Sequence, residues 1–238
     1  MPIDQRQYAS KRRASGEIIK LDLMEIDALQ KILVYAIPLI FAITLHEAAH
    51  AFAARYFGDS TAYMLGRMTL NPLKHIDPIW TILVPLVTLL VSPFVFGAAK
   101  PVPVNFGALR RPKQHMIWVA AAGPAANLAM MIGWAVVGKV AQMFPASMPI
   151  VFLLLVAKAG IFVNAILMVF NLFPLLPLDG GRILAGLLPN KASYTFSKSE
   201  PYGMFILVAL ILTGVMGTFL WPLVDFSMNA VYSLLSLR

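Results

Sequence analysis

Between Ile43 and Phe52 the chain reads Ile-Thr-Leu-His-Glu-Ala-Ala-His-Ala-Phe, an H-E-x-x-H signature set into an otherwise apolar run. The four-residue repeat fixes the local structure, because residues i and i+4 share a face only on a helix, where His46 and His50 stack one above the other. Two imidazoles so placed reach one Zn²⁺, and Glu47 points to the side of a metal-bound water. The chain has 4 His and places Glu only at positions 17, 25, 47 and 200, so chance supplies such a match about one time in a thousand. A pair of buried histidines with backbone or water partners is the plainer alternative. It must also account for three ionisable groups in a segment where each charge costs about 2.5–3.5 kcal/mol to insert at the centre. The pattern points instead to metal-assisted hydrolysis.

That segment is not exceptional in its apolarity. Of the 238 residues 59% are hydrophobic and 13% charged, where a soluble domain carries about 25% charged, and the mean hydropathy is +0.77. An all-α polytopic membrane protein follows, with about four to six transmembrane helices and a re-entrant or extended membrane-embedded segment near the metal site. There is no cysteine, which excludes a disulfide framework and thiolate ligation and leaves His and carboxylate to hold any zinc. The net charge of +8 resides in loops and an N-terminal arm, a distribution suited to anionic lipid headgroups rather than to nucleic acid.

Along the chain, residues 1–28 form a polar, basic arm without the h-region of a cleavable signal peptide, read as a tail or interfacial helix. Residues 29–238 are expected to form one integral membrane domain, with a core over 29–188 and C-terminal helices over 202–237. The first long helix runs over 29–57 and stops at Gly58-Asp59. Residues 60–78 are too mixed to cross a bilayer and read as extended or looped chain near the site. The apolar 79–96 stretch is marginally long enough to cross and carries Pro85 and Pro93. A Pro-punctuated extended stretch, 97–105, and the basic loop at Arg110-Arg111-Pro112-Lys113 follow. Helices are expected over 115–143, rich in small residues that allow close approach, and over 150–173. The latter breaks at Asn171-Leu172-Phe173-Pro174-Leu175-Leu176-Pro177-Leu178-Asp179-Gly180-Gly181-Arg182, and prolines and glycines at membrane depth are tolerated only where protein or a wet cavity satisfies the freed backbone. A last helix over 202–220 is expected to be interrupted at Trp221-Pro222, with 223–237 turning back or lying in the interface.

A catalytic zinc takes three protein ligands and keeps one position for water. The remaining histidines, His75 and His115, sit at segment ends outside the strongest apolar runs, where an ordinary interfacial residue is the alternative to a ligand. Among carboxylates, Glu47 and Asp179 lie within or against the hydrophobic segments, Asp225 less so. Asp179 sits at a helix break beside Gly180 and Gly181, where backbone approaches a ligand closely; its other reading is an N-cap for the helix that follows.

These blocks, H-E-A-A-H in an apolar helix, then G-R-M-T-L-N-P-L-K-H-I-D-P, A-K-P-V-P-V-N, G-P-A-A-N and N-L-F-P-L-L-P-L-D-G-G-R, resemble in content and order the site-two protease family of intramembrane zinc metalloproteases. The likeness covers roughly residues 40–185 and is nearest the short bacterial members. It lacks the PDZ-like insertion of longer members, and Ile79-Trp80 replaces the usual Gly after Asp-Pro. The resemblance implies one catalytic Zn²⁺ held by His46, His50 and Asp179, Glu47 as general base, and supporting roles for Asn127 and Asn171. It implies a zinc metalloendopeptidase that cuts peptide bonds in or near transmembrane segments of membrane proteins in a bacterial inner membrane. A metal-binding transporter predicts ionisable residues spread over several helices; an inactive membrane scaffold predicts a damaged motif.

Shared ligation of one ion also constrains topology. The helix ends that carry His50 and Asp179 must lie on one side, so 79–96 is expected to be re-entrant, because a full crossing separates the ligands by roughly the 30 Å hydrocarbon core. Lys100, Arg110, Arg111, Lys113, Arg182, Lys191 and Lys198 then share the active-site side, which the positive-inside rule makes cytoplasmic. The basic arm 1–28 emerges on the other side unless it folds back.

Overall fold

The computed structural model describes residues 28–75, 77 and 100–236; the re-entrant reading of 79–96 and all but the last residue of the 1–28 arm lie outside the described residues. Within them the chain is helical, with no β-strand. Helix α1 spans Ala28–Tyr56, α2 Thr61–Met64, α3 Pro112–Ala141, α4 Met148–Asn171, α5 Asp179–Leu187, α6 Asn190–Ser197, α7 Glu200–Leu212 and α8 Val215–Leu234. Proline opens three of these, α3, α4 and α7, in the first turn, where its missing N–H has no helical partner to lose and its fixed φ already suits a helix.

Among the described residues three helices are long and apolar enough to cross a bilayer: Ile32–Tyr56 within α1, α3 and α4, with mean hydropathies of 1.8, 1.5 and 2.5. The shortest, 24 residues, extends about 36 Å at 1.5 Å per residue, enough for the hydrocarbon core. The pair α7 and α8 together qualifies as a fourth span bent by 80°. Its break falls at Gly214, whose φ of 76° is left-handed, and not at Trp221-Pro222 as the sequence suggested. The physical difference is that Pro222 removes one N–H from α8, a loss membrane helices tolerate, whereas a left-handed residue ends helical geometry altogether.

Lipid gives helices no hydrophobic reason to associate, so close packing through small residues has to serve. The contact faces bear this out: Ala42, Ala48, Ala51 and Ala54 of α1, Ala120, Gly123, Ala135 and Gly138 of α3, and Ala157, Ala159, Gly160 and Ala165 of α4 are all buried. Larger residues fill the space beside them, with Met131, Ile161, Val169 and Val224 in one cluster shared by α3, α4 and α8. Phe41, Phe52, Trp118, Phe205 and Phe226 stay exposed, as lipid-facing residues of such a bundle do.

The long connection from α1 to α3 returns to its starting point. Gly58 ends α1 with a φ of 115°, and Arg110 N–H donates to Phe57 O at 3.0 Å. Inside that excursion the flanks of the undescribed stretch also meet, Lys100 N–H donating to His75 O at 2.9 Å. Buried Asp59 fastens the excursion to the helix end, its Oδ1 accepting from Thr61 N–H and its Oδ2 from Asn105 N–H at 2.7 Å.

Candidate metal centre

The helical spacing in α1 brings the two histidine rings edge to face, centroids 4.7 Å apart, with their Nε2 atoms 3.1 Å from each other. Asp179, the first residue of α5, completes a triangle: its Oδ2 lies 3.3 Å from His46 Nε2 and 3.3 Å from His50 Nε2. Donors in a tetrahedron with metal–ligand distances of about 2.0–2.1 Å stand about 3.3–3.4 Å apart, so the three atoms have the spacing of one tetrahedral face.

The hydrogen-bond partners define what those atoms offer. His46 Nδ1 faces Asn127 Oδ1 at 2.6 Å and His50 Nδ1 faces the Val119 carbonyl at 2.7 Å. Both partners only accept, so each Nδ1 carries the proton and donates, and each Nε2 presents a lone pair to the same point. Asp179 Oδ2 is buried and has no hydrogen-bond partner. Three acceptors converging with no donor among them repel one another unless a cation lies between. His46, His50 and Asp179 thus fit a zinc ion and can hold it, with one position left for water.

Helix α3 provides the wall of this centre. Gly123 packs so closely that a Cβ there would stand 2.4 Å from His50 Nε2 and 2.7 Å from His46 Nε2. The approach of Asp179 depends on glycine too: at Gly180 a Cβ would meet the Leu172 carbonyl oxygen at 2.1 Å, so α5 can fold back against the 172–178 break only without it. Asp179 does not cap α5. Leu178 occupies the N-cap position, without a side-chain bond, and the carboxylate turns toward the histidines instead.

Glu47 sits beside the ligands on α1, and its Oε2 accepts from Val102 N–H at 2.7 Å. Between Pro101 and Pro103, which have no N–H, Val102 is the single backbone donor. The strip carrying it is braced by Arg67, whose Nη2 donates to the Lys100 carbonyl at 2.9 Å and reaches the Pro101 carbonyl at 3.4 Å.

The structure sorts the other sequence candidates. Asn127 is fully buried against His46. Asn171 is half-buried at the end of α4 and donates from Nδ2 to Leu167 O of its own helix at 2.9 Å; no hydrogen bond joins it to the triangle. His75 is buried in the excursion with Nε2 on Thr69 O, and His115 stacks on Phe57 at 4.4 Å. Sequence reasoning missed Asn164, buried in α4 and bonded to Asn127. An amide midway along the most apolar span was the available signal, since polar groups at that depth are kept for a partner.

Comparison with known proteins agrees with this chemistry. Residues 146–214 match the description Peptidase family M50, a stretch that contains Asp179 but not the H-E-x-x-H helix. The chain is 37% identical over 208 residues to "Putative zinc metalloprotease YwhC" of Bacillus subtilis (strain 168), covering 84% of this chain and 90% of that one. It is 30% identical over 193 residues to "Putative zinc metalloprotease Rip2" of Mycolicibacterium smegmatis, covering 79% and 71%. No solved structure matches. A likeness that runs through nine-tenths of a relative at this identity leaves no room for a chance motif: the chain belongs to peptidase family M50, the site-two protease family, and is a membrane-embedded zinc metalloprotease.

Proposed function

We propose that the protein is an intramembrane zinc metalloendopeptidase that hydrolyses peptide bonds in or near the transmembrane segments of other membrane proteins, with His46, His50 and Asp179 as zinc ligands and Glu47 as general base. The observation that carries this reading is the convergence of two Nε2 lone pairs and an unpartnered carboxylate oxygen on one point, beside a glutamate held in place from the backbone. Zinc bound there supplies Lewis acidity, lowering the pKa of a water ligand toward ~7 and polarising a peptide carbonyl.

The chain's own residues do the rest. Val102 N–H occupies Oε2 of Glu47 and fixes the carboxylate's orientation, so Oε1 takes the proton from the attacking water and later delivers it to the leaving amine. Asn127 and the Val119 carbonyl keep both Nδ1 protons in place and hold the rings in the orientation ligation requires. A substrate helix hides its carbonyls, so the scissile stretch has to be unwound. Residues 100–105 lie beside the base, since Val102 touches it directly, and an extended peptide laid along them as an added strand passes Glu47.

The active site faces the cytoplasm of a bacterial inner membrane in this reading. Supporting it, Arg110 and Lys113 lie where α1 ends and α3 begins, Arg110 Nη2 on the Tyr56 carbonyl and Lys113 Nζ on Asn190 Oδ1, which puts basic residues at the end of the bundle nearest the histidines. The test is zinc content together with cleavage of a model transmembrane peptide by the purified protein. Stoichiometric zinc with cleavage inside or beside the apolar segment is expected; zinc binding without any cleavage of such peptides would overturn the proteolytic reading.

A further inference from the structure

Behind the histidines the bundle interior holds an uninterrupted run of hydrogen bonds in which each amide can point only one way. Asn164 is fully buried in α4, and its Nδ2 donates to the Gly160 carbonyl at 2.8 Å. That contact turns its Oδ1 outward to accept from Asn127 Nδ2 at 3.0 Å. Asn127, fully buried in α3, is thereby turned so that its Oδ1 faces His46 Nδ1 at 2.6 Å. The other acceptor near Asn127 Nδ2, the Ala42 carbonyl, stands at 3.5 Å, too long to hold the amide alone.

We propose that Asn164 is a positioning residue for the zinc centre: through Asn127 it fixes which end of that amide His46 meets, and hence keeps the ring's proton on Nδ1 and its lone pair on Nε2 toward the metal. The run begins at Gly160 O, a main-chain carbonyl of α4, and ends at a ligand on α1, so α4 contributes to the centre without a ligand of its own. With Asn164 removed, Asn127 loses its one good acceptor among the described residues and rotation of its amide costs little. Rotated, it offers N–H to His46 Nδ1, and the ring then carries its proton on Nε2, where it blocks ligation. This inference rests on His46 being a zinc ligand.

The experiment measures zinc affinity of the purified full chain in detergent by competition with a chromophoric chelator. Asn164→Leu, similar in size but unable to accept, is expected to weaken zinc binding about 10- to 100-fold, the usual effect of losing a group behind a ligand. Asn164→Ala makes the same test with less demand on packing should the leucine variant fail to fold. Asn164→Asp, neutral at this depth, keeps an O–H donor for Gly160 O and an acceptor toward Asn127 and is expected to bind within about threefold of the parent, well short of the loss expected for leucine. In an Asn127→Leu background, Asn164→Leu is expected to add nothing further, because its route to His46 is already cut. A purely packing role predicts the opposite set: lowered stability of the metal-free protein, unchanged zinc affinity in the single variants, and additive effects in the double. Either unchanged affinity or additivity overturns the proposal. Failure of the parent chain itself to bind zinc would instead overturn the ligand assignment, and the two failures are told apart by that control.

Discussion

Replacing Gly123 by alanine adds one carbon at the point where the metal centre has least room. The new Cβ would stand 2.4 Å from His50 Nε2, 2.6 Å from His46 Cε1 and 2.7 Å from His46 Nε2, where non-bonded carbon contacts settle at about 3.5 Å or more. Relief therefore requires the rings and α3 to part by roughly an ångström, several times the ~0.2 Å within which metal–ligand distances are held. Helix propensity runs the other way, alanine being favoured over glycine by about 1 kcal/mol in a helix interior, so a loss of zinc cannot be blamed on a weaker helix. Zinc affinity is expected to fall by at least about 100-fold, at or beyond the upper end seen for groups behind a ligand, while helical circular dichroism stays near that of the parent. Gly133→Ala is the internal control, on the same helix with nothing within 4 Å of its would-be Cβ, and should leave zinc binding unchanged. Parental zinc occupancy and affinity in Gly123→Ala would refute the placement of the centre against α3.

Glu47→Gln leaves all three proposed ligands in place, so zinc content is expected to stay near parental while peptide cleavage drops by more than about 100-fold for loss of the base; activity within tenfold of the parent removes Glu47 from that role. Asp179→Ala leaves two histidines and is expected to lower zinc occupancy and activity together, an outcome read by metal analysis after dialysis against a weak chelator, whereas full retention of zinc would count against carboxylate ligation. Arg67→Met keeps the apolar stem but releases the Lys100 and Pro101 carbonyls that Arg67 Nη2 reaches; it is expected to lower kcat about tenfold with zinc retained, as an orienting contact does, and loss of zinc in this variant would show that the excursion supports the ligands and not the base.

The parts of this fold that the sequence made legible are those encoded locally. The pairing of His46 with His50 needs only a four-residue spacing on one helix, and long apolar runs announce their own spans: 29–57, 115–143 and 150–173 were expected where α1, α3 and α4 begin and end within three residues of those limits. Asp179 stood out because a carboxylate between a proline-rich break and two glycines is rare in such a chain. The rest depends on partners distant in sequence. That Glu47 is oriented by a main-chain N–H 55 residues away, or that His50 leans on the Val119 carbonyl, involves atoms every residue has, so no residue type signals it. For Asn171 the resemblance implies a supporting role; its amide, at a helix end with the carbonyl four residues earlier within reach, bonds to Leu167 O. The bend at Gly214 is not legible from residue type, since glycines are common in membrane helices and only a reversal of φ, a larger disruption than the N–H missing at Pro222, makes one a break.

The site divides into two subassemblies that differ in how they are held. All three metal-facing atoms, and the groups behind the two imidazoles, belong to α1, α3, α4 and the first residue of α5, elements packed through small side chains at near-backbone contact. The orientation of the base belongs instead to the described parts of the 58–111 excursion, which are hydrogen-bonded to the end of α1 and to Glu47 through Asp59, Arg110 and Val102 and packed on α1 and α3 through Ala62, Val102, Val104, Phe106 and Leu109. Close-packed helices deform only in steps that expose buried polar groups, whereas the strip meets the base through the Val102 N–H bond to Glu47 Oε2, and local yielding there costs about 0.5–1.5 kcal/mol for that bond. With His46, His50 and Asp179 as the proposed ligands and Glu47 as the proposed base, changes in the helices are expected to strike zinc affinity first, and changes at Arg67 or Val102 to strike the rate while the metal stays. In the proposed reading, a protease that admits an unwound peptide beside its base gains from that division, since the strip that yields to substrate is not the one that holds the ion.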